Sequence, residues 1–401
     1  MRFHYLVLAF LIMLVLIRHY YKQVDYGIYL KEYWASESLK HKVLITVPDL
    51  TLTGGVAIMF RALRNHFSPS VDYFTVGRRR SETRTYFKIK RVIRDYRNYC
   101  HTLKYEDYSA VQINPSLKKS ALIRDALFLI IAKNKKKKVI VFFHGWDWKL
   151  ANKLSTGVIG SIFKKVFFSA DAIIVLANDF AKKLQDMGYK GPLHLENIAI
   201  EDSIAQLADL PLERKQDHKN IFNILFLTRV EKYKGIYEAI EAFRILKGQY
   251  ENVYLIVAGD GSELNNAQRY ITEQNIKNVK FTGYVEGKEK HEVYKSADCY
   301  LLPSYSEGMP LSIIEAFAYG LPVITRPVGA IKDFFIDGKM GFMTAGLDPN
   351  IIANLLCKCI DNPELCLSIK QFNKNFVHTR FSPKTIASNL ETIYNEIHFN
   401  E

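Results

Sequence analysis

The sequence predicts an α/β protein made of two parallel sheets, each covered by helices. Short continuous apolar runs, such as VLITV at Val43–Val47, are typical of strands that are buried on both faces. These runs alternate with longer helical stretches that often end at glycine, which indicates repeated βαβ units. At 401 residues the chain can form two separate cores. The polar stretch 201–220 therefore marks a hinge between domains at 42–200 and 221–380.

The chain is strongly basic, with a net charge of +14 and a pI near 9.3. This charge favours an anionic partner: nucleic acid, acidic lipid or a phosphorylated substrate. The five cysteines are odd in number and have no framework spacing, which argues against a secreted disulfide-bonded fold. Cys357 and Cys359 form a C-x-C pair without a second pair or a nearby histidine, so we do not predict a metal site there.

The amino terminus contains thirteen consecutive apolar residues, Tyr5 to Ile17, between Arg2 and Arg18. As a helix this run spans about 20 Å, short of the roughly 30 Å hydrocarbon core of a bilayer. Because no small-x-small cleavage site follows it, an uncleaved anchor or interfacial helix within residues 1–25 is favoured over a cleaved signal peptide.

Two glycines follow the first predicted strand of the first domain. Gly54 and Gly55 stand between that strand and a predicted helix at 57–66, where they allow a ligand to approach the backbone closely. The pattern is not G-x-G-x-x-G, so the nicotinamide fingerprint is absent here. A tight turn without a ligand is the alternative interpretation.

Residues 78–97 hold nine basic residues and two acids, with apolar residues interleaved. The pattern favours a basic amphipathic helix at an anionic membrane surface. Nucleic acid is a rival partner, but no nucleic-acid-binding motif accompanies the stretch, and a plain solvated face is the third interpretation.

Polar residues follow two further predicted strands. His144 comes directly after the apolar run Val139–Phe143, and Arg229 comes after the strand at 221–228, with Lys234 close behind it. Ligands of open α/β sheets bind at the carboxyl ends of strands, which makes His144 a candidate site residue, although a structural histidine is the alternative. Arg229 and Lys234 could neutralise a diphosphate at the mouth of a cleft, and plain surface charge is the alternative there.

The most informative stretch joins the predicted strands 299–302 and 322–325. A loop with Glu307 leads into a helix that we expect to begin at Pro310 and to end near Gly320. The amino terminus of such a helix is an anion site. Glu315 lies within an apolar helix and needs a partner that offsets its desolvation.

This stretch, EGMPLSIIEAFAYGLPVI with its two glutamates eight positions apart, resembles the signature of retaining glycosyltransferases of family four, which have the GT-B fold. The resemblance extends from Val43 to about Met343 and is strongest from Ile221 onward. It implies two Rossmann-like domains that face a central cleft, with the acceptor on the amino-terminal side and the nucleotide sugar on the carboxyl-terminal side. It also implies that residues 381–401 form a helix that crosses back to the first domain.

The resemblance also implies roles for individual residues. Glu307 would meet sugar hydroxyls and Glu315 the ribose, while His144 would contact the donor sugar and take part in catalysis with Glu307, Arg229 and Lys234. The remaining donor contacts would be the diphosphate clamp Arg229 and Lys234, the backbone of Gly308, Met309, Pro310 and Leu311, the glycines Gly54 and Gly55, and Tyr284 and Val285 at the nucleobase. The chain departs from the family pattern at Ile198 and Thr228, where glycine is usual.

The expected activity is retaining transfer of a sugar from a UDP- or GDP-linked donor to a lipid-linked or glycan acceptor. No two aspartates stand two positions apart, so the D-x-D metal motif is missing and we expect neither a metal nor another cofactor. The catalytic body would be cytoplasmic at an anionic membrane surface, and nucleic acid would not be a partner. Alternatives are a nucleotide-sugar epimerase, a hydrolase that uses Asp147 as its second acid, and a non-catalytic sugar-binding protein.

Overall fold

The computed structural model describes residues 41–79, 85–209 and 221–399. The predicted amino-terminal anchor at 1–25 lies outside these ranges, as do residues 80–84 of the basic stretch. Within the described ranges, no helix is both long enough and apolar enough to cross a membrane.

The first sheet has six parallel strands in the order β2-β1-β3-β4-β5-β6. Its central strands are almost wholly buried and rich in valine, isoleucine and phenylalanine, as expected where helices cover both faces of a sheet. The strands are β1 (Lys42–Val47), β2 (Val71–Thr75), β3 (Tyr108–Ile113), β4 (Lys138–Phe143), β5 (Ala172–Val175) and β6 (Leu193–Leu195).

The second sheet also has six parallel strands, in the order β12-β11-β10-β7-β8-β9. Its strands are β7 (Phe222–Leu227), β8 (Val253–Ala258), β9 (Val279–Gly283), β10 (Cys299–Leu302), β11 (Val323–Thr325) and β12 (Gly341–Met343). The two sheets therefore form two α/β domains, as the sequence predicts.

Helices connect successive strands of each sheet, as parallel pairing requires. Those of the first domain are α1 (Gly55–Leu63), α2 (Thr85–Tyr105), α3 (Lys119–Asn134), α4 (Trp148–Leu154), α5 (Gly157–Phe167) and α6 (Asn178–Asp186), followed by α7 (Asp202–Asp209). After β7 come a 3₁₀ turn (Lys232–Lys234), α8 (Ile236–Lys247), α9 (Leu264–Glu273), α10 (Gly287–Ser296), α11 (Leu311–Ala318), α12 (Ile331–Phe334), α13 (Pro349–Asp361), α14 (Pro363–Arg380) and α15 (Pro383–Phe399).

Each sheet has one point where the order of its strands reverses. In the first sheet the chain runs from β1 to β2 on one side and then returns to add β3 on the other. In the second sheet the reversal lies between β7 and β10. A crevice forms at the carboxyl ends of strands at such a switch point, so ligands are expected where β1 and β3, and β7 and β10, end.

The predicted hinge at 201–220 is partly helical. Helix α7 occupies its first half, and residues 210–220 lie outside the described ranges. The start of this segment is tied to α1 of the first domain, because Arg61 Nε donates to Glu201 Oε1 at 2.6 Å. The sequence predicted a hinge here from the polarity of the segment alone, and no helix was predicted.

The carboxyl-terminal helix lies on the first domain. Helix α15 packs against α1, and the Glu391 side chain accepts a hydrogen bond of 2.6 Å from the Ser68 backbone amide. Helix α14, just before it, packs on α11 of the second domain. The end of the chain therefore ties the two domains together.

The turn after β8 requires a glycine at position 259, and a substitution can test this requirement. Gly259 has a φ of +142°, and a β-carbon there would lie 1.9 Å from the carbonyl oxygen of Thr228, at the end of β7. We expect Gly259→Ala to lower the free energy of unfolding by about 2–4 kcal/mol, through backbone strain and overpacking. Chemical denaturation followed by circular dichroism would measure this change.

Gly54→Ala is the matched control for that substitution. Gly54 has a φ of −80°, and a β-carbon there would meet open space, so the free energy of unfolding should fall by no more than about 1 kcal/mol, the cost of alanine at an N-cap. Equal stabilities of the two variants would contradict the steric account of the β7–β8 edge.

Candidate functional site

A buried ion pair joins the ends of β7 and β10. The ammonium of Lys234 lies 2.6 Å and 2.7 Å from the two carboxylate oxygens of Glu307, and both residues are 8% exposed. The approach depends on Gly235, which has a φ of +80° and whose β-carbon would lie 2.3 Å from the carbonyl oxygen of Pro303. The glycine therefore lets the turn after β7 press against the loop after β10.

Arg229 belongs to the same cluster through Tyr233. The exposed guanidinium of Arg229 donates a hydrogen bond to the hydroxyl of Tyr233. The tyrosine ring also contacts both cations, with its centroid 5.7 Å from Arg229 Cζ and 5.4 Å from Lys234 Nζ. Burial is the largest effect on this phenol and raises the pKa of Tyr233. The site therefore presents two cations on one aromatic ring, at the switch point of the second sheet.

The loop that carries Glu307 is supported from behind by another glycine. Gly329 has a φ of +58°, and a β-carbon there would lie 2.2 Å from the carbonyl oxygen of Glu307. The Ala330 amide donates to the carbonyl of Gly308 at 2.8 Å. Helix α11 begins at Leu311, so Pro310 is its N-cap rather than its first helical residue. The first backbone amides of a helix have no hydrogen-bond acceptor within the helix. In α11 these amides lie next to the loop that carries Glu307.

Glu315 is paired as its burial requires. It is 1% exposed, forms an ion pair with Lys290 and accepts a hydrogen bond of 2.9 Å from the hydroxyl of Tyr294. Burial and the adjacent carboxylate raise the pKa of Tyr294 well above its usual value. Lys290 is the more exposed partner of this pair, with 24% of its side chain accessible against 2% for Glu315.

The residues predicted at the nucleobase stand at the same end of the second sheet. Tyr284 and Val285 follow β9, whose last residue Gly283 has a φ of +72°. Tyr284 is 55% exposed, whereas Val285 is buried. An exposed aromatic ring offers a stacking surface, while the Val285 side chain packs into the core.

On the first domain, His144 lies directly after β4. Its Nε2 is 2.9 Å from the amide oxygen of Asn114, and its ring packs on Phe142 with a centroid separation of 4.0 Å. Burial lowers the pKa of His144 to about 3, so the ring is neutral near pH 7. A β-carbon on Gly308 would lie 3.6 Å from the His144 carbonyl oxygen, so the loop of the second domain reaches this strand end.

Gly54 and Gly55 stand at the amino terminus of α1, after β1. Both are exposed, and a β-carbon at either position would meet open space. Steric crowding therefore does not require glycine at either position, and Gly54 serves as the N-cap of α1.

The two domains touch beside the site. The Ile198 amide lies 3.3 Å from the sulfur of Met309, and the Asn178 amide donates to Asp333 at 2.7 Å. Lys332 also forms an ion pair with Asp179. These contacts place the loop 304–310 of the second domain against the first domain, where the loop and His144 line the cleft between the domains.

Sequence reasoning missed three residues of this cleft. Asn114 follows β3, a strand that was not predicted; Tyr233 stands between the two predicted cations; and Lys290 is 25 positions from its partner Glu315. The need of Glu315 for a partner was the one signal in the sequence that pointed towards Lys290.

Among the described residues there is no group of three or more histidine, cysteine, aspartate or glutamate side chains that could hold a metal ion. Asp147, the acid considered for a hydrolase, instead caps α4 by accepting from the Leu150 amide at 3.0 Å.

Comparison with known proteins shows what the chain is similar to. Residues 212–376 match the family model of glycosyl transferases group 1. It is 27% identical over 279 residues to an uncharacterized glycosyltransferase of Methanocaldococcus jannaschii, an alignment that covers 66% of this chain and 69% of the relative. It is 31% identical over 195 residues to the capsular polysaccharide biosynthesis glycosyltransferase CapM of Staphylococcus aureus, covering 47% and 50% of the two chains.

Several of the other curated relatives are matched over about half of their length.

Solved structures establish the fold. A glycosyltransferase of Rickettsia africae superposes with a TM-score of 0.68 at 16% identity, covering 90% of this chain and 100% of that one. HepE of Anabaena in complex with UDP gives a TM-score of 0.66 at 15% identity, covering 88% and 100%. The expected GT-B fold is thereby confirmed.

The buried ion pair gives a stability prediction that needs no substrate. Lys234→Met leaves the Glu307 carboxylate buried without its cation, which should cost about 3–5 kcal/mol in the free energy of unfolding. The double variant Lys234→Met/Glu307→Gln should fall short of the sum of the two single losses by about 1–3 kcal/mol. Urea denaturation of the four proteins measures this coupling, and strictly additive losses would show that the two side chains do not interact.

Proposed function

We propose that the protein is a retaining, metal-independent glycosyltransferase that moves a hexose-type sugar from a nucleoside diphosphate donor to a glycan or lipid-linked acceptor. The observation that carries this proposal is the meeting of Arg229, Lys234 and the first turn of α11 at the switch point of the second sheet, opposite His144 of the first domain. Cations and helix amides at one crevice suit a diphosphate.

The chemistry follows from this placement. The bond between the anomeric carbon and the diphosphate oxygen breaks, and the departing negative charge is stabilised by Arg229, Lys234 and the α11 amides. The acceptor hydroxyl attacks the oxocarbenium-like carbon from the face that the diphosphate leaves, and its proton passes to a departing phosphate oxygen. Attack on that face retains the anomeric configuration. Glu307, which is paired with Lys234, would accept hydrogen bonds from hydroxyls of the sugar.

The names of two relatives and the ligand of one solved structure support a role in polysaccharide synthesis. CapM and a putative teichuronic acid biosynthesis glycosyltransferase of Bacillus subtilis are named for polysaccharide synthesis, and HepE was crystallised with UDP. We therefore propose synthesis of a cell-surface polysaccharide or glycoconjugate from a UDP- or GDP-linked sugar. Because Asp147 caps a helix, no observation favours a hydrolase.

Arg229 offers the cleanest catalytic test, because it is exposed, whereas removal of Lys234 is expected to destabilise the fold. With a panel of UDP-glucose, UDP-galactose, UDP-N-acetylglucosamine and GDP-mannose, we expect nucleotide release by Arg229→Gln to fall about 10²–10³-fold in kcat/KM, as when one electrostatic donor is lost. Lys232→Gln is the matched control, since Lys232 is an exposed cation of the same turn and should be neutral. Equal losses of kcat/KM in both variants would show that the effect comes from general surface charge and not from a specific role of Arg229.

Two surfaces of the first domain support an acceptor at an anionic membrane. On α2, Lys90, Arg94 and Arg97 are exposed around Ile93, which is itself 60% exposed. On α5, three apolar side chains face solvent: Val158, Ile159 and Ile162. Residues 148–168, which include α4 and α5, contain four lysines and no acid. Exposed apolar groups among cations match the interfacial region of an anionic bilayer. The proposed location is therefore the cytoplasmic face of a membrane.

Flotation with vesicles of phosphatidylcholine and phosphatidylglycerol tests the α5 surface in the full chain. We expect Ile159→Asn/Ile162→Asn to raise the lipid concentration for half-maximal binding by about tenfold, since each side chain loses part of its transfer free energy. Leu367→Asn, at a 58% exposed position of α14, is the control and should bind as the unmodified chain does. Unchanged binding of the double variant would remove α5 from the proposed membrane contact.

A further inference from the structure

A chain of buried polar side chains runs from the carboxyl-terminal helix to His144. The hydroxyl of Tyr394, on α15, donates to Gln112 Oε1 at 2.6 Å, and Gln112 Nε2 lies 2.8 Å from Asn114 Oδ1. The same oxygen lies 2.9 Å from His144 Nε2. Gln112, Asn114 and Tyr394 are all buried. Buried polar groups cost free energy unless they are paired, so the directions of these hydrogen bonds are constrained.

The direction of the whole chain is set by one backbone carbonyl. Asn114 Nδ2 lies 2.7 Å from the carbonyl oxygen of Thr46, which can only accept. The amide nitrogen of Asn114 must therefore face Thr46, and its oxygen must face both Gln112 and His144. The reverse orientation of Asn114 would place two oxygens together at Thr46 and two donors together at Gln112.

The oxygen of Asn114 can only accept as well, so the nitrogen of His144 opposite it has to carry a proton. We propose that Asn114, oriented by Thr46 and Gln112, is a positioning residue that holds His144 in the tautomer protonated at Nε2, with Nδ1 left as the acceptor of the ring. Within the described part of the chain, Nδ1 has no hydrogen-bond partner. The lowered pKa of His144 agrees with a neutral ring that has one bare nitrogen.

The consequence for the reaction rests on the proposed function. A neutral His144 with a bare Nδ1 accepts a hydrogen bond from a hydroxyl of the sugar or of the acceptor. It cannot donate a proton to the leaving diphosphate through that nitrogen. Stabilisation of the departing charge then falls to Arg229, Lys234 and the α11 amides, and His144 orients a hydroxyl.

Nitrogen NMR of the full chain labelled with ¹⁵N-histidine tests the assignment without any substrate. Long-range proton–nitrogen spectra distinguish protonated from bare ring nitrogens, and the His144→Gln variant identifies the signals of His144. We expect a protonated Nε2 and a bare Nδ1 at pH 7. A proton on Nδ1, or a rapidly exchanging mixture, in the unmodified protein would overturn the proposal.

Two further variants separate positioning from simple packing. Asn114→Leu keeps a similar volume but removes the acceptor, so the Nε2-protonated form should give way to a mixture of tautomers. Tyr394→Phe removes the far end of the chain but leaves the Thr46 contact, so the tautomer should stay as it is. An unchanged tautomer in Asn114→Leu would refute the role of Asn114. If that variant does not fold, the spectrum of the unmodified chain still decides. Because no donor is used, failure here is distinct from failure of the proposed transferase activity.

Discussion

The structure depends on the pairing of two buried glutamates with lysines, one pair where β7 and β10 end and the other between α10 and α11. Lys234 neutralises Glu307 and Lys290 neutralises Glu315, while Arg229 remains at the surface against Tyr233. A carboxylate buried without such a partner would be strongly destabilising, so each glutamate fixes a lysine in place. Arg229 belongs to neither of these two pairs, and the first amides of α11 begin beside the loop that carries Glu307. A guanidinium and helix amides at this edge suit a ligand that brings negative charge of its own.

Sheet topology explains why these groups meet although they are far apart in the chain. The second sheet reverses its strand order between β7 and β10, so the turn with Arg229 and Lys234 lies beside the loop with Glu307. The first sheet reverses between β1 and β3, so Asn114 lies at its switch point and can reach His144, which follows β4. Glycines with positive φ permit the closest approaches, as Gly235 and Gly329 do. The loop after β10 thereby meets the end of β4 at the boundary between the two domains.

Much of this arrangement could be predicted from the sequence, because it depends on short local patterns. Apolar runs predict most of the strands, and the positions of Arg229, Lys234 and Glu307 after predicted strands indicate a common site. The parts that were missed depend on long-range contacts. Strand β3 mixes polar and apolar residues and has no glycine or proline turn before it, and its buried Gln112 accepts a hydrogen bond from Tyr394 of the last helix, 282 positions away. No local pattern reveals the pairing of Lys290 with Glu315.

We propose that the cleft of the second domain binds the diphosphate of a nucleotide. Isothermal titration calorimetry of the full chain with UDP and GDP, each against its monophosphate, measures this binding. At least one diphosphate should bind about tenfold or more tightly than the matching monophosphate, because the second phosphate meets the cations at the end of β7. Equal affinities for diphosphate and monophosphate, or no binding of either nucleotide, would contradict it.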